Sequence, residues 1–196
     1  MQLETRAITI STVALAIALA AHAQSNAEGR AQRFTSDKYG FSMAVPRGWG
    51  VSTDQDTPLL VSYPASHALP QGRIPSGGAN ISVVPLDKFR GQERRSLAEW
   101  ATADATGDSA PNSPIYPFKM PPASMVRDAV ISSHDTPTFG PDDQSQHTVN
   151  IFWEFRNKRF AAHLLYPAHD PKGPEFERIF METIRSLRPV KTLNQH

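Results

Sequence analysis

Cysteine is absent from all 196 residues. That absence excludes a disulfide framework, a thiol nucleophile, a thiolate zinc ligand and the modified cysteine of an exported lipoprotein. The chain must therefore hold itself together through its core. A domain of roughly 150 residues can do so, since it buries about 70% of its unfolded surface. Charge of one sign is missing too. Twenty basic residues stand against 19 acidic ones, for a net charge of +1. With no long basic run, the broad positive field that nucleic acid demands is lacking, and nucleic acid is not an expected partner. The spacings of several catalytic motifs are also missing. There is no H-x-x-x-H or H-E-x-x-H pair on one helix face, and no G-x-S-x-G elbow. The one Gly-Gly stretch, Pro75-Ser76-Gly77-Gly78, leads into a strand rather than a capped helix, the wrong order for a phosphate cradle. No internal repeat is visible.

What is present describes a globular protein: 39% hydrophobic and 20% charged residues. The N-terminus carries an apolar run, Ala7 to Ala21, preceded by Arg6 and ending in Ala21-His22-Ala23. Small residues at those places read as a signal-peptidase site, and the run is shorter than the roughly 20 apolar residues that span a bilayer. The expected plan is a signal peptide over 1–23, a polar lead-in over 24–32, one domain over 33–189 and a tail over 190–196. Such a protein is periplasmic or secreted, with no membrane anchor after cleavage.

The stretch Thr148 to Tyr166 organises the domain. Val149, Ile151, Trp153 and Phe155 alternate with other residues, and after Arg156-Asn157-Lys158-Arg159 the alternation resumes with Phe160, Ala162, Leu164 and Tyr166. A turn at Asn157-Lys158 pairs Phe155 with Phe160, Trp153 with Ala162 and Ile151 with Leu164, leaving one apolar face to be covered. Earlier strands are expected at Phe41–Val45, Leu59–Tyr63 and Ala79–Val84, each stopped by proline, and a later one at Met125–Ile131. Ser96-Leu97-Ala98-Glu99 has capping-box spacing and opens a helix with Leu97, Trp100, Ala101 and Ala105 on one face. A second helix over Pro174–Leu187 carries Phe176, Phe180, Thr183, Ile184 and Leu187 at helical spacing, a fitting lid for the Trp153/Phe160 face. Strands that follow strands, with few helices, give α+β: a mainly antiparallel sheet flanked by helices.

Two loops stand out. Thr106–Ser124 holds five of the 17 prolines, and its Ile115, Tyr116, Phe118 and Met120 either meet a partner or fold back on the domain. Ser132–Gln146 is polar and contains Pro137, Gly140 and Pro141.

Tyr39-Gly40-Phe41-Ser42-Met43-Ala44-Val45-Pro46-Arg47-Gly48-Trp49 resembles the Gly-Phe-strand-Pro-x-Gly-Trp opening of the PsbP-like superfamily, which includes DcrB-type periplasmic proteins. Ser96-Leu97-Ala98-Glu99-Trp100 is similar to its short capped helix, and Phe176-Glu177-Arg178-Ile179 through Ser186-Leu187-Arg188 to its closing helix. The resemblance spans about Phe34 to Pro189. It implies an α-β-α sandwich and a non-catalytic protein that binds partners, such as another envelope protein, as an adaptor or assembly module. One member has been linked to metal ions, but no residue-by-residue match carries that site onto this chain, and no cofactor is expected.

For chemistry, histidine with carboxylate is the main resource. His134 and His147 flank the Ser132–Gln146 loop, and with Asp135 they make the set best placed to converge on a metal or small ligand. Solvated loop histidines are the simpler reading. Ser133-His134-Asp135 has the residue types of a hydrolytic triad, but as sequence neighbours, whereas a triad draws its members from separate elements. Glu154 and Asp128 are the strand acids available for acid/base work, with Glu154 expected near His163 across the hairpin. A catalytic set is not expected.

Overall fold

The computed structural model describes residues 32–52, 56–69, 73–88, 95–105, 115–117, 129–136 and 145–190. The signal peptide, most of the lead-in, the tail beyond Val190, and Phe118, Met120 and Asp128 lie outside the described residues.

The strands are β1 (Arg33–Ser36), β2 (Phe41–Ala44), β3 (Gly50–Ser52), β4 (Leu59–Val61), β5 (Asn80–Pro85), β6 (Ile115–Pro117), β7 (Ala129–Thr136), β8 (Gln146–Phe155), β9 (Lys158–Pro167) and β10 (Arg188–Pro189). The helices are α1 (Leu97–Ala105) and α2 (Gly173–Arg185). Seven strands form one sheet in the order β3-β4-β5-β9-β8-β7-β6, and three form another in the order β1-β2-β10. Every pairing is antiparallel. The fold is α+β, with α1 and α2 on opposite faces of the larger sheet.

The two faces follow from strand alternation. Ala129 and Ile131 of β7, Val149, Ile151 and Trp153 of β8, and Phe160, Ala162 and Leu164 of β9 share one core with Phe176, Phe180 and Ile184 of α2. Phe152 and Ala161 face the other way and pack with Trp100 and Ala101 of α1. The covering of the first face is divided. Tyr39 and Phe41, beside and in the small sheet, set their rings edge-on to Phe160 at 5.4 and 5.8 Å. Trp153 stacks on Phe160 at 5.5 Å. Towards the far end Phe176 of α2 meets Tyr166 at 5.8 Å and Trp49 at 6.4 Å. Each fully buried ring contributes roughly 1.5–3 kcal/mol through removal from water. The lid expected from α2 alone is thus shared with the hairpin β1–β2.

The central hairpin differs from expectation in its turn. Arg156 and Asn157, not Asn157 and Lys158, occupy it, with φ of 51° and 58°. Two successive left-handed residues make the type I′ turn, whose twist matches that of the strands. Trp153 therefore faces Phe160, Ile151 faces Ala162 and Val149 faces Leu164. Each partner moves by two residues, an even step, so every side chain keeps its expected face.

The expected loop over Ser132–Gln146 also needs correction. Strand β7 runs to Thr136, so Ser132, Ser133, His134 and Asp135 are strand residues. Ser, His and Asp have weak strand preference, but pairing of all eight β7 residues with the longer strand β8 outweighs it. Within Thr106–Ser124, Ile115–Pro117 forms β6, paired with Val130–Ser132 of β7.

The capping box on α1 is present: the Glu99 amide donates to Ser96 Oγ at 3.2 Å, and the Ser96 amide donates to Glu99 Oε2 at 2.6 Å. Those bonds hold the Glu99 carboxyl below its ordinary range, the backbone amide of Ser96 contributing most.

Candidate functional site

At one end of the α2 face the apolar rows turn polar. Strand β7 continues from Ala129 and Ile131 to Ser133 and Asp135, β8 runs back from Val149 to His147, and β9 runs on from Leu164 to Tyr166. The period of two places all four polar side chains on this face. Register then brings them together, since Asp135 lies opposite His147, which lies opposite Tyr166.

His147 bridges two partners on β7. Its Nδ1 lies 2.6 Å from Asp135 Oδ1, and its Nε2 lies 2.9 Å from Ser133 Oγ. Helix α2 adds a second carboxylate, with Glu177 Oε1 3.8 Å from Nε2. The ring of Tyr166 lies 5.0 Å from that of His147, and its hydroxyl donates to Glu177 Oε1 at 2.7 Å. Burial, followed by the bond to Glu177, pushes the Tyr166 phenol well above its ordinary range. The group is partly open to solvent: the His147 side chain is 23% exposed and that of Asp135 51%. A carboxylate at Nδ1 and a hydroxyl at Nε2 is the arrangement in which an imidazole accepts a proton from the hydroxyl while the carboxylate fixes its orientation.

The metal set expected from the sequence is split. Asp135 and His147 meet, but His134 alternates to the opposite face, opposite Thr148. Among the described residues no group of three or more His, Cys, Asp or Glu side chains is placed to hold a metal ion. The expected neighbourhood of Glu154 and His163 is corrected as well. Glu154 pairs with Arg159, Oε2 to Nε 3.5 Å, and His163 Nδ1 lies 2.6 Å from Asn150 Oδ1. The two-residue shift in register exchanges those partners. Of the four apolar residues named for partner contact, Ile115 and Tyr116 lie on β6.

As sequence neighbours, Ser133, His134 and Asp135 do not by themselves suggest a triad, and Asp135 stands out only as a metal-ligand candidate. That same spacing puts Ser133 and Asp135 on one face once the segment is read as a strand, and the histidine comes from β8 instead. Glu177, on α2 beside Phe176, carries no sequence signal that would place it near His147. The Gly-Gly loop is explained too: the Gly77 amide, which an anion would need, donates to Asp170 Oδ2 at 2.6 Å.

No protein-family model matches the chain, and a search of curated proteins finds no match. Solved structures do match. One is a cyanobacterial PsbP. This solution structure, from Synechocystis sp. PCC 6803, is 12% identical, with 84% of this chain and 96% of that one covered and a TM-score of 0.47. A crystal structure from Bacteroides thetaiotaomicron VPI-5482 is 14% identical over 86% of this chain, with a TM-score of 0.48; this chain spans 52% of its length. A protein of unknown function from Pseudomonas aeruginosa is 15% identical, with 84% of this chain and 100% of that one covered and a TM-score of 0.42.

Proposed function

We propose that the chain is an exported protein of the cell envelope, periplasmic or secreted, that makes contact with another envelope protein as an adaptor or assembly module. The observation that supports this reading is β6. It is the last strand of the seven-stranded sheet, and it comes from the proline-rich segment whose apolar residues either meet a partner or fold back on the domain. Among the described residues nothing pairs with its outer edge, and a sheet edge of that kind accepts a strand from a partner through main-chain hydrogen bonds. Export is supported by the apolar run ending in Ala21-His22-Ala23. Among the described residues no helix is long and apolar enough to cross a membrane. The metal-carrier alternative is the weaker reading, because only Asp135 and His147 of its three donors share a face.

The test is a crosslinking pull-down from envelope extracts with the chain from Gln24, tagged at its C-terminus. One dominant partner is expected, lost when 106–124 is deleted while the thermal transition persists. No enriched partner, or capture indifferent to the deletion, overturns the reading.

A further inference from the structure

We infer that Ser133, His147 and Asp135 form a working nucleophile, base and orienting acid that transfers an acyl group from an activated ester onto Ser133 Oγ. The inference goes beyond the contact role proposed above and does not depend on it. It rests on three geometric facts. The two hydrogen bonds run in the order carboxylate, Nδ1, Nε2, hydroxyl, at 2.6 and 2.9 Å. The three residues come from two strands whose register is fixed over eight paired positions. The polar end of the face is partly open, so an acyl donor can approach from the Asp135 side.

The chemistry balances without any further reactant than water. Ser133 Oγ attacks the ester carbonyl while its proton passes to His147 Nε2, and the carbonyl electron pair moves onto oxygen. As that pair returns, the bond to the leaving alcohol breaks and the alcohol takes the proton from Nε2. Water then attacks the acyl-serine with His147 again as base, releasing the carboxylic acid and restoring the hydroxyl. The positive charge that develops on the imidazole faces Asp135 at Nδ1 and Glu177 beyond Nε2, which stabilise it. Tyr166, bonded to Glu177 and beside the imidazole ring, positions that second carboxylate.

The location also limits the substrate. Ser133 sits within a strand opposite Val149, not on the tight turn that gives hydrolase serines a free backbone amide for the oxyanion. The acyl donor is therefore one whose leaving group departs easily, a phenyl ester or thioester, and not an amide.

The experiment uses p-nitrophenyl acetate and, separately, a fluorophosphonate probe on the chain from Gln24. Release of nitrophenolate above the buffer rate is expected, together with a covalent adduct on the peptide that carries Ser133. Ser133→Ala removes both. Asp135→Asn, at an exposed carboxylate, slows acylation by roughly tenfold to a hundredfold, and His147→Gln by about a hundredfold or more. Circular dichroism melts of the variants separate lost chemistry from lost fold, and the site of the adduct on the unmutated chain requires no variant. No adduct, an adduct on another residue, or an undiminished rate in a folded Ser133→Ala variant overturns the inference.

Discussion

The Asp170 carboxylate accepts the Gly77 amide at 2.6 Å through Oδ2 and the Lys172 amide at 2.9 Å through Oδ1. It thereby ties the turn before β5 to the turn before α2, and its burial makes both bonds costly to lose. A hydrogen bond to a charged group contributes about 1.5–3 kcal/mol. Asp170→Ala is expected to lower stability by roughly 2–4 kcal/mol, because two amides lose their acceptor together. Urea titration checks this; a loss below about 0.5 kcal/mol, less than one typical net hydrogen bond, would show that water replaces the carboxylate.

Gly173 opens α2 directly against Tyr166. A Cβ at that position would lie 2.8 Å from Tyr166 Cε2, closer than real contacts allow. Alanine normally favours a helix over glycine by about 1 kcal/mol. Here overpacking is expected to reverse the sign, so that Gly173→Ala destabilises by about 1–3 kcal/mol. Adding Tyr166→Ala opens the space, and the double variant should be less destabilised than the two single changes predict together. Simple additivity would show that the helix start shifts freely away from the ring.

The fold was legible where burial imposes a period. Val149, Ile151 and Trp153 announced their common face, and Phe176, Phe180 and Ile184 announced the helix that packs against it. The capping box at Ser96 and Glu99 was legible because its chemistry is local. Hairpin register was less so: residue type allows a turn at Asn157-Lys158 or at Arg156-Asn157, and only the pairing of β8 with β9 distinguishes them. The site was hidden for a related reason. Ser133, His134 and Asp135 look like loop residues in isolation, and what makes them strand is the partner β8, distant enough in sequence to leave no local signal. The approach of Glu177 to His147 depends on how α2 docks, which no spacing encodes.

The turn itself gives a third prediction. Arg156 and Asn157 both adopt positive φ, which costs a residue with a side chain about 1–2 kcal/mol, less for asparagine. Glycine at the second turn position removes that strain. Asn157→Gly is expected to raise stability by roughly 0.5 kcal/mol, since glycine's larger unfolded-state entropy offsets part of the gain. A paired Asn157→Val variant, β-branched and ill suited to this backbone, should lower it. Equal melting temperatures for the two would show that the turn is not left-handed in solution.

Tyr166 gives the last prediction, and its sign follows from the proton. Burial and the bond to Glu177 raise the phenol above its ordinary 10.0 in the folded protein, whereas the unfolded chain titrates near that ordinary value. Below pH 10 both states keep the proton, so the contribution to stability is fully present. As pH rises above 10 the unfolded state releases the proton first and gains relative to the folded one. Stability should therefore fall with alkaline pH in the wild type, and the fall should continue until the folded phenol itself ionises. Tyr166→Phe removes the titrating group together with the hydrogen bond to Glu177. It should be less stable near neutrality yet show a shallower alkaline decline, so that the two curves converge above pH 10. Denaturant midpoints measured from neutral to strongly alkaline pH decide the matter. Parallel curves would mean that the hydroxyl ionises in the folded state as readily as in water, and that Glu177 does not hold it.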